Sequence, residues 1–265
     1  MSSEYLRPLV QLPVPSNLLG VLTDIDDTLT TQGQVPPPVV QALGRLRAAG
    51  LKVVPITGRS MGWSAPHALH WPVDAIVAEN GAAALRRNAQ GGLERLYQMA
   101  DDQVRSAHYA RMQQVLAQIE AQVPGARRSE DSPGRECDIA VDHSEHTQMA
   151  PEQMQACMAL MRAAGMQATV SSIHINGWYG QHDKLLGARW ILRELFDLDL
   201  DATLSRWIYI GDSLNDQVMF RHLPHTVGVA NIARFMPRLQ HLPRYVTQAE
   251  RGAGFIELAR HILRT

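Results

Sequence analysis

Hydrophobic and polar positions change rhythm twice along this chain. In the first third, short apolar runs alternate with stretches of helical spacing. Residues 1–17, with Pro8, Pro13 and Pro15, read as an extended arm. Leu18–Leu22 is too short for a helix and has no solvent-facing alternation, so it reads as a buried central strand of a parallel sheet. Gly33 and Pro36–Pro38 mark a loop. A helix follows from about Val39 to Ala49, with Val39, Leu43 and Leu46 on one face and Gly50 as its stop. Leu51–Ile56 and Val73–Ala78 are two more buried strands. Short apolar strands joined by helical connections predict an α/β protein with a doubly wound, Rossmann-like parallel sheet.

The middle third follows a different grammar. Arg86–Gly92 predicts a hairpin turn between strands through Ala84 and Leu96, and Gln103–Gln122 a helix. Glu136–Asp142 alternates strictly. Cys137, Ile139 and Val141 share one face, and Asp138, Ala140 and Asp142 the other, which predicts a half-buried antiparallel strand. A helix over Pro151–Ala164 stops at Gly165, and Met166–Asn176 predicts one strand with Ser172, His174 and Asn176 on its polar face. Parallel-sheet grammar returns after Asp183. A helix over Leu185–Phe196, strands at Trp207–Ile210, Thr226–Ala230 and Tyr245–Thr247, and a helix over Gly254–Leu263 complete the pattern. Residues 1–83 and 184–265 are therefore expected to form one discontinuous domain, with an α+β insert over 84–183.

With 265 residues the chain can bury a sizeable core. Its formal net charge of -1 gives no basic surface for nucleic acid or an anionic membrane. The segment Met1–Arg7 lacks the apolar run of a signal peptide, and no later stretch would span a bilayer. Cys137 and Cys157 make no metal or disulfide framework, so a reduced, cytoplasmic protein is expected. Pairs such as His67 and His70 sit three apart, but zinc needs more ligands in a defined context. Oligomeric state is open at this level.

Chemistry concentrates at strand ends, where ligands of parallel sheets bind. The first strand ends in Asp24, Asp26 and Asp27, the second in Thr57 and Gly58, the third in Glu79-Asn80-Gly81. Lys184 opens the returning helix, and Asp212, Asn215 and Asp216 follow Trp207–Ile210. Crowded carboxylates without Cys or His partners suit a hard cation, and Mg²⁺ typically takes few carboxylates plus phosphate and water. A hydroxyl, amides at a glycine and one lysine supply what a phosphoryl group needs. No Walker loop is present. A carboxylate can attack phosphorus, and a carboxyl two residues on can protonate the leaving oxygen and then activate water.

Taken in order, Asp24-Ile-Asp26-Asp27-Thr28, Thr57-Gly58-Arg59, Lys184 and Gly211–Asp216 resemble the four motifs of the haloacid dehalogenase-like (HAD) phosphatases. The hundred-residue insert and Glu79-Asn80-Gly81 resemble the subclass with a large C2-type cap (type IIB), which includes sugar-phosphate phosphatases. That resemblance implies Asp24 as nucleophile and Asp26 as acid/base, its backbone carbonyl also touching Mg²⁺. It implies Thr57 and Gly58 on phosphate, Lys184 as charge clamp, Asp212 as metal ligand, Asp216 as ligand or its support, and Asn215 on phosphate or Lys184. Many relatives carry Gly where this chain has Asp27. A closing cap would turn Asp138, His174 and Asn176, together with Asn80, towards a small phosphorylated substrate, a sugar or glycosyl phosphate being favoured. A phosphomutase or a non-catalytic phosphate-ester sensor of the same fold are the alternatives.

Overall fold

The computed structural model describes residues 6–264, so the first five residues of the predicted arm lie outside the described residues. In chain order the core strands are β1 (Arg7–Pro8), β2 (Gly20–Thr23), β3 (Lys52–Pro55) and β4 (Ile76–Ala78), with helices α1 (Pro37–Ala48) and α2 (Met61–His70) between them. A hairpin of β5 (Ala83–Arg87) and β6 (Leu93–Tyr97) follows. The next segment carries α3 (Asp102–Gln122), β7 (Arg127–Arg128), β8 (Ile139–Asp142), α4 (Pro151–Ala163), β9 (Gln167–Val170) and β10 (His174–Trp178). The chain returns through α5 (Lys184–Phe196), β11 (Trp207–Gly211), α6 (Gln217–His222), β12 (Thr226–Gly228), β13 (Tyr245–Val246) and α7 (Arg251–Ile262).

Six strands form a parallel sheet in the order β1-β13-β12-β11-β2-β3. The arm is thus an edge strand rather than a free extension, anchored by buried Leu9 and Leu12. Successive side chains of β2 enter different layers, which is why its sequence is apolar throughout rather than alternating. Val21 packs with Val53, Ile208 and Ile210 under α1 and α7. Leu22 packs with Val54, Trp207 and Tyr209 under α5 and α6. From β2 the chain winds outward to β3, then re-enters on the other side at β11. The topological switch lies between β2 and β11, where Thr23 pairs with Ile210, and a cleft is expected at the carboxyl ends of that pair.

The hairpin was grouped with the insert on sequence grammar, but its side chains pack with the core. Leu85 joins the layer under α1 and α7, and Ala84 the layer under α5 and α6. β5 also extends β4 antiparallel, and an isolated bridge from Ile56 to Val77 links β4 to the end of β3. The remaining insert is an antiparallel sheet, β7-β8-β10-β9. One face carries Ile139, Val141 and Ile175 against α3 and α4, together with Met154 and Met161. The opposite face is buried too, against the core, so β8 is not half-exposed as alternation predicts. The predicted single strand over Met166–Asn176 is a hairpin. Its turn is held by the Ser171 hydroxyl, which accepts the amide of His174 at 3.0 Å. Among the described residues no helix is long and apolar enough to cross a membrane.

The turn that leads into the hairpin packs against the start of α5. Gly81 has φ +107°, and a Cβ there would lie 2.2 Å from the carbonyl oxygen of Asp183, the residue that caps α5. A side chain would therefore push directly on the start of the helix that carries Lys184. Gly81→Ala is expected to cost about 3 kcal/mol, combining backbone strain with displacement, read as a lower urea midpoint at unchanged slope.

Candidate active site

Three buried carboxylates meet at the switch point. Among the described residues, one such group has oxygens within 4.8 Å of one another: Asp24 from the end of β2, and Asp212 and Asp216 from the loop after β11. Lys184 stands among them, 1% exposed, its Nζ donating to Asp24 Oδ1 at 2.5 Å and to Asp216 Oδ1 at 2.6 Å. A lysine in the first turn of a helix is unfavourable for the helix dipole, so its place must be supported by these anions. Asp216 is saturated: Tyr209 OH also donates to Oδ1, and the amides of Asp212 and Ser213 donate to Oδ2 at 2.9 Å. Its geometry is that of a brace for Lys184 and the loop. Asp212 differs. Asn231 and Arg234 both donate to Oδ2 at 2.9 Å, while Oδ1 is buried without a hydrogen-bond partner.

The electrostatics match this crowding. Burial pushes the Asp24 carboxyl up to about 7; Lys184 opposes the shift, and Asp216 and Asp26 add to it. Burial, then Asp24 and Asp216, drive Asp212 well above the usual carboxylate range. Negative charge is in excess here, and an all-oxygen donor set with an orphaned buried carboxylate oxygen fits a hard divalent cation.

Asp26 and the end of β3 form the second part. Arg59 Nε donates to both Asp26 oxygens at 3.0 and 3.1 Å, and its Nη1 and Nη2 donate to Glu145 of the insert at 3.1 and 2.6 Å. Glu145 in turn lies 2.9 Å from His174 Nε2. Thr57 is fully buried, with Oγ1 accepting the Arg59 amide at 3.0 Å. Gly58 is packed between two amide side chains, since a Cβ would lie 3.2 Å from both Asn176 and Asn80 oxygens. Its carbonyl accepts from Arg135 Nη1 at 3.0 Å and Asn176 Nδ2 at 3.2 Å. Asn215 Nδ2 reaches Asn80 Oδ1 at 3.4 Å.

The polar face of the insert therefore meets the core loops. Asp138, His174 and Asn176 are buried, and Asp138 accepts from Asn80, Asn176 and Arg135. Three members of this junction carried no sequence signal, Asp131, Arg135 and Glu145, while Arg59 and Glu79 stood in the quoted motifs without an assigned role. Glu79, at φ +48°, accepts the amides of Met61, Glu136, Cys137 and Asp138. Asp131 accepts the Ser60 amide at 2.9 Å and both binds and orients Arg135.

Glu145 makes the junction pH-sensitive. Burial alone would raise its carboxyl, but hydrogen bonds from His174 and Arg59, with the charge of Arg59, hold it at about 2. A depressed value means stability present above the ordinary range near 4.5 and lost as pH falls towards 2. Glu145→Gln is expected to cost about 1–2 kcal/mol at pH 7. The gap in melting temperature between wild type and variant should narrow as pH drops from 5 towards 2, as differential scanning fluorimetry would show.

In sequence, residues 21–122 match the family described as haloacid dehalogenase-like hydrolase. A search of curated protein sequences finds no match. Among solved structures, a protein of Thermoplasma acidophilum superposes with TM-score 0.70 at 16% identity, over 94% of this chain and 99% of that one. The sucrose-phosphatase of Synechocystis sp. PCC6803, solved with sucrose and phosphate, gives TM-score 0.64 at 16% identity, covering 93% and 98%. A sugar phosphatase of HAD subclass IIB gives 0.63 at 16% identity, covering 93% and 100%. At these identities the likeness is one of fold. The chain is thus similar to the haloacid dehalogenase-like hydrolases in sequence over residues 21–122, and throughout its length it has the fold of their α+β-capped members.

Proposed function

We propose that the protein is a Mg²⁺-dependent phosphatase of a small phosphorylated metabolite, a sugar or glycosyl phosphate, working through an aspartyl-phosphate. The observation that carries this reading is Lys184, whose ammonium bridges Asp24 and Asp216 beside the unpartnered oxygen of Asp212. Asp24, Asp212 and the backbone carbonyl of Asp26 would hold the cation, with Asp216 supporting through Lys184 and the loop amides. When bound, the cation supplies neutralisation of phosphate charge, which would otherwise repel a carboxylate nucleophile.

The remaining work falls to side chains. An oxygen of Asp24 attacks phosphorus as the ester P–O bond breaks, and the leaving oxygen takes its electron pair and the proton of Asp26. Asp26 then removes a proton from water, whose oxygen attacks the phosphoaspartate; the Asp24–P bond breaks and the carboxylate is restored. Lys184 balances the charge on Asp24. The Thr57 hydroxyl, the Gly58 backbone and Asn215 hold phosphate oxygens in line.

The insert acts as a lid in this reading. It runs from Met99 to His182 and leaves the hairpin on the core, since Leu85 and Ala84 pack there. Arg59, Glu145 and His174 bridge lid and core over Asp26, which supports a small leaving group and exclusion of water during transfer. A cytoplasmic setting accords with two free cysteines. The test is phosphate release from a panel of sugar phosphates, glycolytic esters and nucleotides with Mg²⁺, against EDTA and an Asp24→Asn blank. Magnesium-dependent release from a sugar phosphate is the expected result. Release only from nucleotides would overturn the substrate class, and none from any ester would overturn the activity.

A further inference from the structure

Resting on the cation site proposed above, we infer that Asp27 and Arg234 form a counterweight that sets how tightly Asp212 holds a divalent cation. Asp27 has φ +53°, a conformation that costs a residue with a side chain about 1 kcal/mol. Its ion-pair partner Arg251, the first residue of α7, also has φ +53°. Two strained residues are thus paired beside the acidic centre, and glycine would relax either of them.

What they hold converges on one oxygen. Arg234 Nη2 donates at 2.6 Å to Asp27 Oδ2 and at 2.9 Å to Asp212 Oδ2. Asn231 Nδ2 is shared the same way, at 3.0 Å to the Asp27 carbonyl and 2.9 Å to Asp212 Oδ2. Asn231 Oδ1 closes the ring by accepting the Arg251 amide at 2.8 Å. Both donors that occupy Asp212 Oδ2 are therefore anchored by Asp27, and Asp212 Oδ1 is left buried without a partner. Arg234 fixes the carboxylate orientation, but its positive charge opposes a cation on Asp212. The Asp27 carboxylate on the same guanidinium nitrogen offsets that charge.

Opposite charge changes should then move affinity in opposite directions. Mn²⁺ alone, titrated into wild type, D27N, R234Q and the double variant, would be followed by the electron paramagnetic resonance of free Mn²⁺. Asn tolerates the left-handed conformation, and Gln keeps an amide donor at the end of the side chain. D27N should weaken binding about tenfold and R234Q tighten it about fivefold, with the double variant within about twofold of wild type. Because Arg234 is 39% exposed at its side chain, the differences should shrink at high salt. The counterweight is overturned if both single variants bind within twofold of wild type, or if both weaken, as a merely structural role would give. Failure of wild type itself to bind Mn²⁺ would remove the cation site and the inference with it. Unchanged circular-dichroism melts show that each variant is folded.

Discussion

Asp24→Asn is expected to lower phosphate release by at least about 10⁴-fold while leaving the protein folded. The amide has nearly the shape of the carboxylate but no anionic oxygen to attack phosphorus. Stability should not suffer, because the native carboxylate is itself crowded. Burial and the neighbouring Asp216 and Asp26 hold its carboxyl at about 7 even beside Lys184. Replacing it removes one charge from a buried group of three and leaves Lys184 paired with Asp216 at 2.6 Å. The measurement is single-turnover phosphate release alongside a thermal melt. A variant that keeps more than a hundredth of wild-type turnover at unchanged melting temperature would mean that the nucleophile lies elsewhere.

Lys184→Met should combine loss of turnover with the largest stability loss of any single change in the site. Methionine fills similar volume but leaves Asp24 and Asp216 buried without their shared cation, and removing one partner of a buried ion pair costs about 3–5 kcal/mol. For a chain of this length that corresponds to a melting temperature lower by about 10 °C. Added Mg²⁺ should raise the melting temperature of the variant more than that of wild type, since the excess negative charge in the cleft is larger. The combined change Asp24→Asn with Lys184→Met should lie above the single lysine variant, because one of the stranded carboxylates is gone. An unstable variant indifferent to Mg²⁺ would contradict an acidic cation site.

The parts of this molecule visible in its sequence share one property. Asp24, Thr57 and Asp212 follow continuous apolar runs, and a strand buried on both faces leaves just such a run, with chemistry at its carboxyl end. The polar face of Asp138, His174 and Asn176 was legible as alternation, and the fold decides that it meets the core rather than water. Arg135 and Glu145 were silent, and Arg59 and Glu79 stood in motifs with no role assigned, for the complementary reason. In sequence they look like ordinary solvated charges, and only pairing across the junction makes their burial affordable. Met166–Asn176 misled because its turn is built from Ser171, Ser172 and Ile173, without the glycine, proline or asparagine that usually marks one. Asp27 was visible as an extra carboxylate, but its partners Arg234 and Arg251 lie more than two hundred positions away in sequence.

The position of β11 next to β2 has a consequence for how the protein is made. As the chain leaves the ribosome, β2 can pair at once with β3, but the hydrogen-bonding groups on its other side find no partner until Trp207–Gly211 has been synthesised. Until then Val21 and Leu22 lie beside an open, apolar strand margin, the kind of surface that invites aggregation and chaperone capture. Fragments ending before residue 207 should therefore be recovered as chaperone-bound or insoluble material, even though they include Asp24 and the whole of the insert.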